Sequence, residues 1–217
     1  MRLLDLFSGA GGAGAGYHSA GWNVVGVDID PQPAYPFTHR VMDWREALED
    51  AASFDAIHAS PPCQGYSWST RKGREERWPL RIAEVREALT ATGLPYVIEN
   101  VANARRDMRQ PVLLCGTMFG LGLIKHRLFE STADLWPVPG HPDCSGMIAR
   151  GEAVTVAGHG GDSKDFRVSR WREAMGIDWM DRGNAAQEKH DLAEAIPPAF
   201  TAWVGARLLE SLMERAA

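Results

Sequence analysis

Along this chain, short apolar runs alternate with longer segments of mixed polarity. Arg2-Leu3-Leu4-Asp5-Leu6-Phe7 reads as a short buried strand. Ser8-Gly9-Ala10-Gly11-Gly12 breaks it, and the small residues through Ala20 permit a helix packed closely on a sheet, ended by Gly21. Trp22 to Val27 is a second strand, closed by Asp28. Pro31, Pro33 and Pro36 mark a loop, and another element ends near Asp43. A short helix is expected from Trp44 to about Ala52, then a buried strand from Phe54 to Ala59. Trp78 to Thr92 places Leu80, Ile82, Val85 and Leu89 at helical spacing; Gly93 and Pro95 follow, and Tyr96-Val97-Ile98 is a strand ending at Glu99.

Strands alternating with helices predict an α/β fold, a mostly parallel sheet with helices on both faces. The middle of the chain differs. Val112 to Cys115 and Arg127 to Glu130 look like paired strands around a glycine-containing turn. From Ser131 to about Gly161 the sequence is rich in Pro, Gly and His and has little periodicity, which suggests a small irregular lobe. Arg170 to Met175 is expected to be helical, and Pro197 to Met213 forms a final helix with Pro197 and Pro198 at its first turn. The expected organisation is a main domain over 1–130, a small lobe over 131–190 and a returning C-terminal helix over 191–217.

Composition narrows the class. No apolar run approaches the roughly 20 residues that span a bilayer. The start, Met1-Arg2-Leu3-Leu4-Asp5, turns acidic too soon for a signal peptide, so a cytoplasmic protein is expected. Cys63, Cys115 and Cys144 are an odd number without paired spacing, which argues against a disulfide framework. The net charge is −5, mildly against a nucleic-acid partner, yet residues 60–130 hold 11 Lys/Arg against 7 Asp/Glu. Arg71, Lys72, Arg74 and Arg77 lie in a Ser/Gly-containing loop suited to phosphate contact. Arg81 and Arg86 fit a solvated helix face equally well.

Four stretches carry candidate chemistry. Pro61-Pro62-Cys63-Gln64 sets a thiol just past a buried strand, where open α/β sheets place ligands; the competing reading is a buried structural cysteine. The turn Asp5-Leu6-Phe7-Ser8-Gly9-Ala10-Gly11-Gly12 lets a ligand approach backbone at a helix N-terminus, though a glycine turn alone is often only a tight bend. Asp28 and Asp43, at the ends of the next two elements, could meet a ribose and an adenine amine, and the lack of Gly-Lys-Ser/Thr favours a cofactor without a triphosphate. Glu99-Asn100-Val101 offers an enclosed carboxyl and an amide that could orient a base; the bland alternative is a cap or ion pair. Lys125-His126-Arg127 would put two cations on one strand face, to hold a phosphate or a carbonyl oxygen or merely to form a basic edge. His141-Pro142-Asp143-Cys144 has metal-like spacing, but it is a single His/Cys pair and no metal is expected from it.

Together these residues resemble the DNA cytosine-5 methyltransferase family. Asp5 to Gly12 looks like the family's S-adenosylmethionine motif, and Asp28 and Asp43 resemble its ribose and adenine acids. Pro62-Cys63-Gln64 is similar to its nucleophile loop, Glu99-Asn100-Val101 to its Glu-Asn-Val motif, and Lys125 and Arg127 to its paired arginines. Ala195-Ile196-Pro197-Pro198 resembles the terminal motif that completes the cofactor site. Three departures stand out: Lys125 replaces an arginine, Ala193-Glu194-Ala195 replaces Gly-Asn-Ser, and the candidate target-recognition region, 131–190, is short. Chains this compact are similar to phage-borne methylases.

The resemblance implies a Rossmann-like class I methyltransferase fold with a target-recognition lobe. It implies S-adenosyl-L-methionine as cofactor, held by Asp5, Phe7, Ser8, Gly9, Gly11, Gly12, Asp28, Ile29, Asp43 and Pro61. Catalysis would fall to Cys63, Glu99, Asn100, Lys125 and Arg127. Cys63 would add to cytosine C6, Glu99 would protonate N3, and Arg127 helped by Lys125 would hold O2. Double-stranded DNA would be the partner, with the base flipped out of the stack and the loop from Gly65 to about Arg77 as lid. Target recognition would fall to Gly158-His159-Gly160-Gly161 and the cations Lys164, Arg167, Arg170 and Arg172. A monomer in a bacterial host cell, with no membrane and no obligate protein partner, is expected. Two alternatives stay open: a DNA- or RNA-binding protein with a vestigial pocket, and a methylase of RNA or free pyrimidine nucleotides.

Overall fold

The computed structural model describes residues 1–66, 80–156, 168–181 and 183–216. Seven strands form one sheet: β1 (Arg2–Leu6), β2 (Asn23–Asp28), β3 (Thr38–Val41), β4 (Ala56–Ala59), β5 (Tyr96–Val101), β6 (Val112–Cys115) and β7 (His126–Ser131), in the order β3-β2-β1-β4-β5-β7-β6. β3, β2, β1, β4 and β5 run parallel, while β7 lies antiparallel between β5 and β6. The mostly parallel α/β sheet expected from the alternation is therefore observed, and so is the β6–β7 pairing.

Strand alternation divides the apolar side chains between two faces. Leu4, Leu6, Val25, Val27, Ile57 and Ile98 pack beneath helices α2 (Trp44–Ala47) and α3 (Ile82–Ala91). Leu3, Val24, Ala56, Val97 and Phe129 pack beneath α1 (Gly12–Ser19) and α6 (Pro198–Ala216). The two helices of that second face touch closely: a Cβ on Gly16 would collide with Pro198 and Thr201 of α6.

A third cluster lies off the sheet. Leu123, Val154 and Val156 meet Trp171 and Met175 of α4 (Val168–Met175), with Ile177, Met180 and Leu192. A short bridge pairs Leu123 with Val154. Between this cluster and the sheet, every residue from Trp136 to Glu152 is at least partly exposed.

Some boundaries differ from the sequence reading. The helix after Asp43 ends at Ala47 and tightens into a 3₁₀ turn, Leu48–Ser53. Helix α3 begins at Ile82, and Leu80 is exposed. Helix α5 (Ala185–Glu194) was not anticipated, because Glu188, Leu192 and Ala193 alone are buried along it; its signal was Asn184, whose side chain accepts from the amides of Ala186 and Gln187. No helix among the described residues is long and apolar enough to cross a membrane.

Candidate active site

The turn after β1 is held in a conformation that small residues tolerate best. Phe7, Gly9 and Gly11 have φ of 58°, 47° and 91°. For phenylalanine that region is uncommon, and it is retained because neighbours over-determine it. Ser8 N–H donates to Val27 O at 3.0 Å, and Gly9 N–H donates to Asp28 Oδ2 at 3.0 Å. Asp28 thus fastens the turn to the end of β2, while its Oδ1 accepts from Asp30 N–H. Phe7 rests against Trp44. A Cβ on Gly12 would strike the backbone of Ile196, so the segment before α6 does return to this turn. From the lobe, Trp179 Nε1–H donates to Ala10 O at 3.0 Å, a contact with no sequence signal.

Around this turn Ile29 is exposed, a Cβ on Gly9 would meet open space, and buried Ser8 Oγ has no hydrogen-bond partner among the described residues. These features leave room for a small ligand against the turn. Asp43 is the N-cap of α2, accepting from Arg45 N–H at 2.8 Å. Asp5 departs from its expected role as a ligand contact. It is wholly buried on the α1 face, accepts from Tyr35 O–H at 3.0 Å, and is pushed up to about 7, chiefly by burial.

At the ends of β4 and β5 the thiol and carboxyl meet. Asn100 Nδ2–H donates to Pro61 O at 2.9 Å and its Oδ1 accepts from Val101 N–H, so the buried amide clamps the cysteine loop instead of facing a base. Cys63 is half-buried. Burial pushes its thiol up, the Arg127 cation opposes this, and Glu99 and Glu194 add to it. Glu99 is buried too, and burial raises its pKa against the pull of Arg127 and Lys125. Arg127 Nε lies 3.0 Å from Glu99 Oε1 in an ion pair that leaves this oxygen without a hydrogen bond.

A chain of hydrogen bonds runs behind Glu99. Tyr17 O–H lies 3.0 Å from His58 Nδ1 and His58 Nε2 lies 2.8 Å from Ser60 Oγ, while Ser60 pulls the Glu99 carboxyl pKa down. One proton placement satisfies both links: Tyr17 donates to Nδ1 and Nε2–H donates to Ser60, which leaves the Ser60 hydroxyl proton free to turn toward Glu99. Burial keeps His58 neutral, with its pKa lowered to about 3. The sequence reading overlooked Tyr17, His58 and Ser60. The detectable signal was strand alternation, which puts Asp5, His58 and Glu99 on the same sheet face.

Lys125 requires a correction. It precedes β7 and does not share a strand face with Arg127. It is buried, and its Nζ donates to Ala193 O at 2.8 Å and Leu192 O at 3.4 Å. Burial pushes its pKa well below that of an ordinary lysine, and the C-terminal carbonyls of α5, which favour a cation, are its hydrogen-bond acceptors. The lysine is therefore committed to docking α5 and does not open toward a phosphate. Glu194, beside it, is exposed and pairs with His190.

Arg86 is not on a solvated face: it forms a buried, forked pair with Glu130 at 2.6 and 2.7 Å. Arg172 binds Asp181 and Glu188 within the lobe, and Arg170 reaches Gly151 O, so both serve the lobe's own structure. Arg71, Lys72, Arg74 and Arg77, most of the expected lid, and Gly158 to Arg167 lie outside the described residues. The His141/Cys144 pair does not stand alone, since Cys115 and His126 lie beside it.

Comparison with known proteins is consistent with this arrangement. A family model described as C-5 cytosine-specific DNA methylase matches residues 1–113, just over half of the chain. The type II methyltransferase M.DdeI of Desulfomicrobium norvegicum is 29% identical over 115 residues, covering 46% of this chain and 28% of that protein. The match thus spans under a third of that relative's length. Among solved structures, a DNA modification methyltransferase encoded within an E. coli prophage aligns with a TM-score of 0.66 at 14% identity, over 98% of this chain and 99% of that one. The Dnmt2 methyltransferase of S. pombe gives 0.66 at 15%, over 98% and 99%. At such identity the likeness is one of fold.

Proposed function

This chain belongs to the C-5 cytosine-specific DNA methylase family, and from that premise we propose that it methylates C5 of cytosine in double-stranded DNA, using S-adenosyl-L-methionine and a covalent bond between Cys63 and C6. The observation that carries the reading is that β4 and β5 lie side by side, the Cys63 loop after β4 is tied to Asn100 through Pro61 at 2.9 Å, and Arg127 lies 3.0 Å from Glu99. A binding protein has no need of a half-buried thiol beside an enclosed carboxyl.

Each residue has a task that its surroundings support. Cys63 supplies the sulfur that adds to C6 and makes C5 enamine-like, and it leaves as thiolate when the methylated C5 loses its proton to a base. Burial keeps a proton on Glu99 more readily than on an ordinary carboxylate, so it can share that proton with ring N3. The Tyr17–His58–Ser60 chain would orient the carboxyl from behind. Arg127, in an ion pair with Glu99, would hold O2. Asn100 positions the nucleophile through Pro61. Phe7, Ser8, Gly9, Gly11, Gly12, Asp28, Ile29 and Asp43 would hold the cofactor, whose contribution when bound is an electrophilic sulfonium methyl. Asp5 supports that turn from within. The reactive edge of a cytosine is hidden in stacked DNA, so the base must leave the duplex to reach Cys63.

The test is methyl transfer from labelled cofactor to duplex DNA, RNA and dCMP in parallel. Cys63→Ala should bind cofactor and transfer no methyl group, and the native chain should be trapped covalently on duplex DNA containing 5-fluorocytosine. Full activity in Cys63→Ala would refute the mechanism. Transfer to RNA or dCMP but not to duplex DNA would reassign the substrate.

A further inference from the structure

We propose that Cys115, His126, His141 and Cys144 bind a structural zinc ion that fastens the irregular segment 136–152 to the sheet. The four ligand atoms lie within 4.8 Å of one another. Their separations approach the edges of a zinc tetrahedron. Cys115 Sγ and Cys144 Sγ are 4.0 Å apart, His126 Nε2 and His141 Nε2 are 3.2 Å apart, and Cys144 Sγ and His141 Nε2 are 3.9 Å apart. Zn–S near 2.3 Å and Zn–N near 2.05 Å imply edges of about 3.8, 3.3 and 3.6 Å respectively. A disulfide would need the sulfurs at about 2.05 Å.

The fold explains why these four meet. Cys115 ends β6, His126 begins β7, and the two are direct partners in that antiparallel ladder, so their side chains share a face. His141 and Cys144 come from the lobe in His-x-x-Cys spacing. Two thiolates and two imidazoles form a donor set that selects zinc over magnesium or calcium, and the thiolates neutralise the dication. Thr117 Oγ1 lies 3.3 Å from Cys115 Sγ and 3.5 Å from Cys144 Sγ, a hydroxyl able to donate to a coordinated sulfur.

A second observation is independent of the cluster. No side chain from Trp136 to Glu152 is buried, and Val138 alone of its apolar residues packs, partly buried, against a core cluster, so little apolar packing orders this stretch. Short segments in that position are commonly held by metals or disulfides. The anchor would also bear on the site, because His126 immediately precedes Arg127, whose Nη1–H donates to His126 O at 2.9 Å.

The experiment uses the full chain, purified under reducing conditions without chelator, with metal measured by mass spectrometry. Stoichiometric zinc is expected. Exchange with Co2+ should give tetrahedral ligand-field bands and thiolate-to-cobalt charge transfer. His141→Ala and Cys144→Ser alter side chains outside the core, so they should stay folded by circular dichroism yet lose the metal and the cobalt spectrum. Cys63→Ala should keep both. Chelation should speed tryptic cleavage after Arg150. Absence of metal after reconstitution with zinc, or metal retained in both variants, would each overturn the proposal. None of these readouts depends on methyl transfer.

Discussion

Cys63 shows how much a single ionisation owes to its neighbours. The residue type and its prolines mark it in the sequence, but its reactivity follows from burial set against one guanidinium. The thiol is held above its ordinary range, so little thiolate is present at neutral pH until substrate and Arg127 favour it. Labelling of Cys63 by iodoacetamide, followed by peptide mass spectrometry, should therefore keep rising beyond the midpoint of an ordinary cysteine, about pH 8.5. In Arg127→Gln the thiolate loses its cation, so the midpoint should move still higher. A midpoint that falls in Arg127→Gln would show that the guanidinium does not act on this sulfur. Asp5 is the counter-example. Its place in the glycine motif suggested a ligand contact, yet strand alternation turns it inward, where Tyr35 is its hydrogen-bond donor.

Among elements, buried polar pairs decide docking where apolar patterns do not. Helix α3 is amphipathic enough to predict, but Arg86 on its buried side is explained only by Glu130 on β7, with Asp107 O and Arg109 N–H completing the group. Removing one partner leaves the other charge buried and unpaired. Arg86→Ala should lower stability by about 3–5 kcal/mol in urea unfolding, and Arg86→Met combined with Glu130→Gln should recover much of that. A loss below about 1 kcal/mol would mean that water reaches Glu130 freely. Helix α5 is similar. Its sequence is too polar for its amphipathicity to announce it, and Lys125 Nζ at its last carbonyls helps set it against the site.

For the whole molecule, the segments after β7 meet the sheet at the glycine turn that follows β1. Trp179 reaches from the lobe to Ala10, and the segment before α6 closes on Gly12. Trp179→Phe keeps the ring's apolar contact but removes the donor, a change of about 1 kcal/mol. The unfolding free energy should fall by about 1 kcal/mol in this variant, and S-adenosylmethionine binding by calorimetry should weaken because the turn is less well ordered before binding. Unchanged affinity would show that the lobe does not support the turn. A likeness over 98% of the chain at 14–15% identity shows that largely different residues build the same fold.

Much was legible in the chain itself, because strands and helices declare themselves through local periodicity. The parallel order through Glu99, the β6–β7 pair and the motifs around Cys63 and Glu99 are of this kind. What tertiary structure alone decided were partnerships between residues far apart in sequence. Lys125 with Ala193, Arg86 with Glu130, Tyr17 with His58, and Cys115 with Cys144 become neighbours only when the sheet order and strand register bring them together. Periodicity is a property of adjacent residues, whereas a buried charge or thiol takes its character from whatever the fold places within a few ångströms, where low dielectric makes each neighbour count.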